Sequence, residues 1–341
     1  MSLEPVLTRS ALSDPTTATL HALRRALDWR KVLPLVNVVL AAVVAWYGNH
    51  ALGSTAVTGL LLVLGAVSLA QGVYALRVRQ ISLRNVGMLR EQPWTSVDIQ
   101  VLRGTTGITD LRVEGATTAL RVFSLTAAHR AVLRRTGRAW LVGPDAEGVA
   151  AIRVEGSHEA WPARVLSTVP AQRPVPAPDK VEPTARAAAV RSKRITMALV
   201  FLPVFLLYAL YTATMFGGFE LLLFLIGLTP ALLVGLLLVA IRHRLADRRL
   251  PALVRAGGWV QVEATVHSRA QRADATAEAH ITLRRADGSA VAVVSRNAPV
   301  DLLGAITDTG VVWVAGTVET GQTIALGFPG YPLVAAAKVT G

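Results

Sequence analysis

The chain has 341 residues, a formal net charge of +13, 52% hydrophobic residues and no cysteine. The lack of cysteine excludes disulfide frameworks, thiolate zinc sites, iron–sulfur clusters and cysteine nucleophiles. A mean hydropathy of +0.46 is too high for an average water-exposed domain and predicts a membrane protein, in which excess arginine reports topology rather than a nucleic-acid partner.

In chain order, residues 1–32 read as a cytoplasmic leader. Its run LHALRRALDWRKV at 20–32 puts Leu20, Leu23, Leu27 and Val32 near one helical face. Four stretches poor in charge then stand out, at 33–48, 56–76, 195–216 and 221–241. The last three have the ~20 residues that a helix needs to cross a hydrocarbon core; the first is short and adjoins the amphipathic run. They pair as two transmembrane hairpins, 33–77 and 195–242. A cleaved secretory signal is disfavoured, because the leader holds Glu4, Asp14 and Asp28 and a second apolar stretch follows the first at once. Arginines and lysines flank the outer ends of both hairpins, including Arg77 and Arg79 after the second stretch and Arg242 and Arg244 after the fourth. The connecting turns 49–55 and 217–220 carry none. This asymmetry predicts a multi-pass plasma-membrane protein with both termini in the cytoplasm and Arg77, Arg79, Arg242 and Arg244 at lipid headgroups.

The segments after the hairpins, 78–168 and 243–341, read as cytoplasmic β domains separated by a Pro-rich linker at 169–194. They repeat each other. A shift of 165 lays YALRVR (74–79) over VAIRHR (239–244) and Trp94 over Trp259. A shift of 173 lays Thr136, Gly137, Trp140 and Gly143 over Thr309, Gly310, Trp313 and Gly316. Landmarks that keep their order while the offset drifts are what a duplication with loop insertions leaves behind. Each copy reads as about six short strands with one helix, at 126–137 and 298–310, a barrel or a sandwich. In WVQVEATVHS, Val260, Val262, Ala264 and Val266 alternate with polar residues, the pattern of a half-wet strand. Gly137 and Gly310 are expected to end the helices in left-handed geometry, with Trp140 and Trp313 entering the core. The expected fold is membrane α+β: four transmembrane helices in two hairpins and two small six-stranded β domains, each with one short helix.

The phrases WLVGPDAEGVAAIRVEGSHEAWPARV (140–165) and VWVAGTVETGQTIALGFPGYPLVAAAKV (312–339) share Trp-x-x-Gly, a turn, a strand and an aromatic-Pro pair. They resemble the repeated cytoplasmic module of uncharacterised integral membrane proteins of actinobacteria. The resemblance covers both β regions and their hairpins through short structural motifs, and it implies no catalytic residue. The second copy departs from the first in having Tyr331 where the first has Trp161.

Chemistry is sparsely written. No glycine precedes a lysine, so a Walker A loop is absent, and neither G-x-S-x-G nor H-E-x-x-H occurs. EGSHEAW at 155–161 reads as a turn with Glu155, His158 and Glu159 solvated. His267 ends one strand and Glu278 and His280 lie two apart on the next, a weak candidate metal set that equally fits an exposed sheet face. Asn37 and Gln71 are expected to bond across the first hairpin. These observations predict no cofactor and no enzymatic activity. The function expected is a non-enzymatic multi-pass membrane protein whose tandem β modules bind a partner as scaffold, sensor or envelope assembly factor; the alternative is a small transporter or channel subunit. The partners expected are the lipid bilayer, another protein docked on the β domains and a further copy in a homo-oligomer, with nucleic acid disfavoured.

Overall fold

The structure is a computed structural model, and it describes residues 3–26, 55–105, 107–172, 182–193, 195–196 and 243–341, with residues 38 and 42. After a 3-10 turn at Ala11–Ser13 comes helix α1, Pro15–Arg25. Its start is dictated locally. The Asp14 carboxylate accepts from the backbone N–H of Thr16 at 2.9 Å and of Thr17 at 3.3 Å, and Pro15 occupies a position whose N–H would have had no partner. Helix α1 takes in the first part of the 20–32 run, with Leu20 buried, and residues 27–32 lie outside the described residues. Helix α2 spans Thr55–Arg84 and α3 Val86–Glu91.

Barrel 1 follows, with β1 Thr95–Gly104, β2 Ile108–Val113, β3 Ala119–Phe123, helix α4 Ala127–Thr136, β4 Arg138–Val142, β5 Val149–Arg153 and β6 Trp161–Leu166. Its strands close in the order β1-β2-β3-β6-β5-β4, two antiparallel three-stranded meanders joined at both edges. A helix α5 over 183–193 lies in what read as linker, because Ala188 is buried against barrel 2 and Thr184 donates to the Tyr331 carbonyl at 2.8 Å. A 3-10 turn at Leu245–Arg249 and α6, Leu250–Ala256, lead into barrel 2. Barrel 2 consists of β7 Val260–Gln271, β8 Thr276–Arg284, β9 Ala290–Pro299, α7 Val300–Thr309, β10 Val311–Ala315, β11 Thr323–Gly327 and β12 Val334–Val339. It closes as β7-β8-β9-β12-β11-β10, the order of barrel 1 repeated.

Period-two patterning drives the strands inward. On β8, Ala277, Ala279, Ile281 and Leu283 are buried while His280 and Arg284 are exposed. On β7 the alternation holds from Val262 onward, with Ala264 buried and Val262 and Val266 packed against the same core while Glu263 and Thr265 are exposed; the first residue, Val260, is 62% exposed. Each barrel is plugged by its helix, with Val132 and Leu133 of α4 in one core and Leu302, Leu303 and Ile306 of α7 in the other. Gly137 at φ 62° and Gly310 at φ 68° close these helices in the left-handed region that glycine enters without steric cost.

Trp140 does not enter the barrel. Ala139 and Leu141 point inward, so Trp140 falls on the outer face, where it packs with Ala11, Leu89 and Trp94. Trp313 likewise is half-buried at the margin of its core, 5.3 Å from the Phe328 ring. A matching outer cluster on barrel 2 holds Val254 and Trp259, and the shift of 165 lays Leu89 on Val254 as it lays Trp94 on Trp259.

The four transmembrane helices do not stand. The stretches 33–48 apart from residues 38 and 42, 221–241, and 195–216 beyond its first two residues lie outside the described residues, as does Asn37. The remaining stretch, 56–76, falls in α2, and among the described residues no helix is long and apolar enough to cross a membrane. The physical reason is visible in the second half of α2, which continues through Arg77, Arg79, Gln80 and Arg84 and is committed to protein contacts. Tyr74 Oη donates to the Gly107 carbonyl at 2.7 Å, and Arg79 Nε donates to the Arg25 carbonyl at 3.0 Å. Just after it, Asn85 Nδ2 donates to the Ala150 carbonyl at 2.9 Å. Gln71 is exposed on this helix. With the spans go the multi-pass plasma-membrane placement, the cytoplasmic orientation of both termini, and the membrane-scaffold and transporter readings built on them.

Candidate anion-binding site

A cavity of about 790 Å³ lies between α2 and the outer wall of barrel 1. Four guanidiniums line it. Arg77 and Arg84 are seven residues apart on α2 and so share a face with Gln80 and Ile81. Arg121 and Arg164 are directly opposed across β3 and β6. Apolar side chains complete the wall: Ile81, Ile108, Phe123, Val149, Val165 and Leu166. Alternation along β3 produces this mixture, since Leu120 and Val122 fill the barrel and Arg121 and Phe123 face out.

The register extends the row of charge across the sheet. Arg103 opposes Asp110, Asp110 opposes Arg121, and Arg121 opposes Arg164. Asp110 is fully buried, accepting from Arg103 Nε at 2.5 Å and from Arg121 Nε at 2.9 Å. Burial by itself would raise its pKa; the hydrogen bonds and charges of the two guanidiniums outweigh that and hold the carboxyl below the usual range. Arg84 pairs with Glu147 at 2.7 Å, an exposed bridge. Arg77 and Arg164 have no carboxylate partner among the described residues, and no Asp or Glu lines the cavity. Tyr74 Oη is already committed, to the Gly107 carbonyl and to the Ser124 N–H at 3.0 Å. The arrangement is therefore a half-apolar cleft with an excess of fixed positive charge, suited to hold an anion and short of groups that exchange protons near neutrality.

No family model, curated protein or solved structure matches the chain. The assignment of this site rests on its geometry.

The second concentration of titratable groups joins the two barrels. His158, 3% exposed, places Nδ1 2.9 Å from Asp301 Oδ1 and Nε2 2.8 Å from Asp308 Oδ2, both on α7. Its backbone N–H and the Ser157 hydroxyl also donate to Asp301, each at 2.6 Å. Thr17 of α1 donates to the His158 carbonyl at 2.7 Å, and Arg153 reaches Asp14 at 3.0 Å. Burial works to lower the His158 pKa, but the two aspartate hydrogen bonds prevail and carry it up to about 9. The imidazolium then donates from both nitrogens. Because Ser157 is bonded to Asp301 and not to the imidazole, no nucleophile–base relay exists, and the cluster works as a clasp between barrels. The reading of 155–161 as a solvated turn is overturned: His158 is buried, Glu155 accepts from Tyr331 Oη at 2.6 Å, and Glu159 pairs with Arg24. No local signal could have found Asp301, which is 143 residues away.

The other candidates named from the sequence are dispersed, and for the metal set a bulge is the reason. The β7–β8 register shifts between Val266 and Ser268, so His267 has no residue opposite it, and its Nε2 lies 2.7 Å from Thr282 Oγ1. His280 opposes Ser268, while Glu278 opposes Ala270 and pairs with Arg272 at 3.1 Å. Among the described residues no group of three or more such side chains could hold a metal ion. Of the arginines assigned to headgroups, Arg77 lines the cavity, Arg79 is bonded to α1, Arg244 pairs with Asp274, and Arg242 lies outside the described residues.

Proposed function

We propose that the chain is a non-enzymatic binding protein for amphiphilic anions, which it takes in the cleft between α2 and barrel 1. The observation that carries this reading is the pairing of four guanidiniums with six apolar side chains in a cavity lined by no carboxylate. Its volume of about 790 Å³ falls in the range of small-molecule sites, about 300–1,000 Å³. Guanidinium forks supply charge-assisted hydrogen bonds to oxyanions, and the apolar wall removes the ligand's hydrocarbon from water. A buried carboxylate behind the wall supports preorganisation, because Asp110 fixes Arg121.

Titration with 8-anilino-1-naphthalenesulfonate, a fluorescent amphiphilic anion, tests the proposal. A saturable, blue-shifted emission with one site per chain is expected. The double substitution Arg77→Ala with Arg164→Ala weakens it roughly tenfold or more, since charge-assisted hydrogen bonds contribute about 1.5–3 kcal/mol each. Emission that does not saturate, or that is the same in the variant, refutes the reading.

A further inference from the structure

Resting on the amphiphilic-anion reading of the same cavity, we propose that the anionic end it selects is a phosphomonoester dianion. The charges around the cleft decide the matter. On α2 stand Arg77 and Arg84, with the neutral Gln80 and the committed Tyr74 hydroxyl. On the barrel wall stand Arg121 and Arg164, and behind them the buried Asp110 with Arg103. On the turn before β5 stands Glu147. Asp110 offsets one of the two charges of Arg103 and Arg121, which both bond it, so that triad keeps one positive charge held at the buried carboxylate, and Glu147 offsets Arg84. Arg77 and Arg164 are left facing the cavity, one from the helix and one from the sheet.

A monoanion such as a carboxylate or a sulfate ester matches one of the two. A phosphomonoester carries a charge of about −1.5 to −2 near neutrality and three strong acceptor oxygens, and so can engage both forks at once. Gln80 and Ser167 add neutral donors at the same rim. Ile81, Ile108, Phe123 and Val165 line the same cleft and offer a surface for an apolar body esterified to the phosphate. Free inorganic phosphate would leave that surface wet. The same chemistry is presented by a free alkyl or aryl phosphate and by a phosphatidate headgroup.

The test uses the full chain and displacement of bound 8-anilino-1-naphthalenesulfonate by octyl phosphate, octyl sulfate and octanoate at pH 5 and pH 7.5. The second phosphate proton leaves near pH 6, whereas guanidiniums hold their charge throughout and no histidine lines the cleft. Octyl phosphate is expected to bind about fivefold or more tightly at pH 7.5 than at pH 5 and to outcompete the other two there. Octyl sulfate, a monoanion at both values, reports any titration of the protein itself and is expected to stay level. Arg77→Gln and Arg164→Gln are each expected to abolish the gain of octyl phosphate with pH while retaining binding of octyl sulfate. Co-sedimentation with phosphatidylcholine vesicles containing phosphatidate identifies the source. Salt-sensitive binding that octyl phosphate displaces assigns a lipid headgroup, and binding of octyl phosphate alone assigns a free phosphomonoester; both support the dianion. Equal affinity for the three probes with no pH step overturns the phosphomonoester assignment while sparing the anion reading. Failure of the fluorescent anion to bind overturns the parent reading instead.

Discussion

Raising the pH should loosen the junction between the barrels before it unfolds either one. The group responsible is His158, held between Asp301 at 2.9 Å and Asp308 at 2.8 Å. Its pKa rises from an ordinary 6.5 to about 9, so folding favours the protonated ring. At about 1.4 kcal/mol per tenfold change in proton affinity, this amounts to about 3 kcal/mol. The sign follows from the direction: the contribution is complete below pH 6.5, falls as the pH rises from there, and is gone above about 9. The two aspartates do not share it evenly. Asp308 is 55% exposed and its partnership is screened by water, whereas Asp301 at 13% carries most of the effect. Urea unfolding of the full chain at pH 6 and pH 10, followed by tryptophan fluorescence, gives the stability difference, and the same measurement on His158→Gln subtracts every other titrating group. The native chain is expected to lose about 3 kcal/mol more than the variant over that interval. Parallel loss in both proteins would refute the ionic clasp and reduce His158 to a packing residue.

Two further outcomes follow from close packing. A Cβ on Gly304 of α7 would collide with the methyl and hydroxyl of Thr16 on α1, so Gly304→Ala should cost about 1–3 kcal/mol; Thr16→Ala in the same chain should recover part of it, read as a coupling in a double-mutant cycle of melting temperatures. Leu133 has no exposed surface within the barrel 1 core, and Leu133→Ala is expected to destabilise by about 2–5 kcal/mol in urea unfolding, whereas a loss under about 1 kcal/mol would contradict its placement as the plug.

The β units were legible because local chemistry writes them. Alternation on β8, a glycine after each helix and the repeated Trp-x-x-Gly phrase mark strand, helix end and strand again, and closure into a barrel follows from pairing all six strands. The membrane architecture failed because apolar content counts residues and not partners. The stretch 56–76 reads as lipid-facing from composition, yet Tyr74 at its end is hydrogen-bonded to two loops of barrel 1. Trp140 was misplaced for a simpler reason: one step along a strand exchanges inside for outside. The cavity and the clasp were hidden by sequence distance. Arg77 and Arg164 line one cleft only because α2 packs on β6, and His158 meets Asp301 only because two barrels dock.

That docking makes the repeats interdependent. α1 belongs in sequence to the first copy, but its Leu20 packs in the core cluster of the second barrel and its Thr17 bonds the turn that holds His158. A gene trimmed to either copy would encode a half with an ionic surface meant for the interior: an imidazolium lacking its carboxylates on one side, two aspartates lacking their cation on the other. The two barrels share one strand order, yet at their seam the surfaces are unlike and complementary, so each half supplies the counter-charges that water would otherwise have to provide.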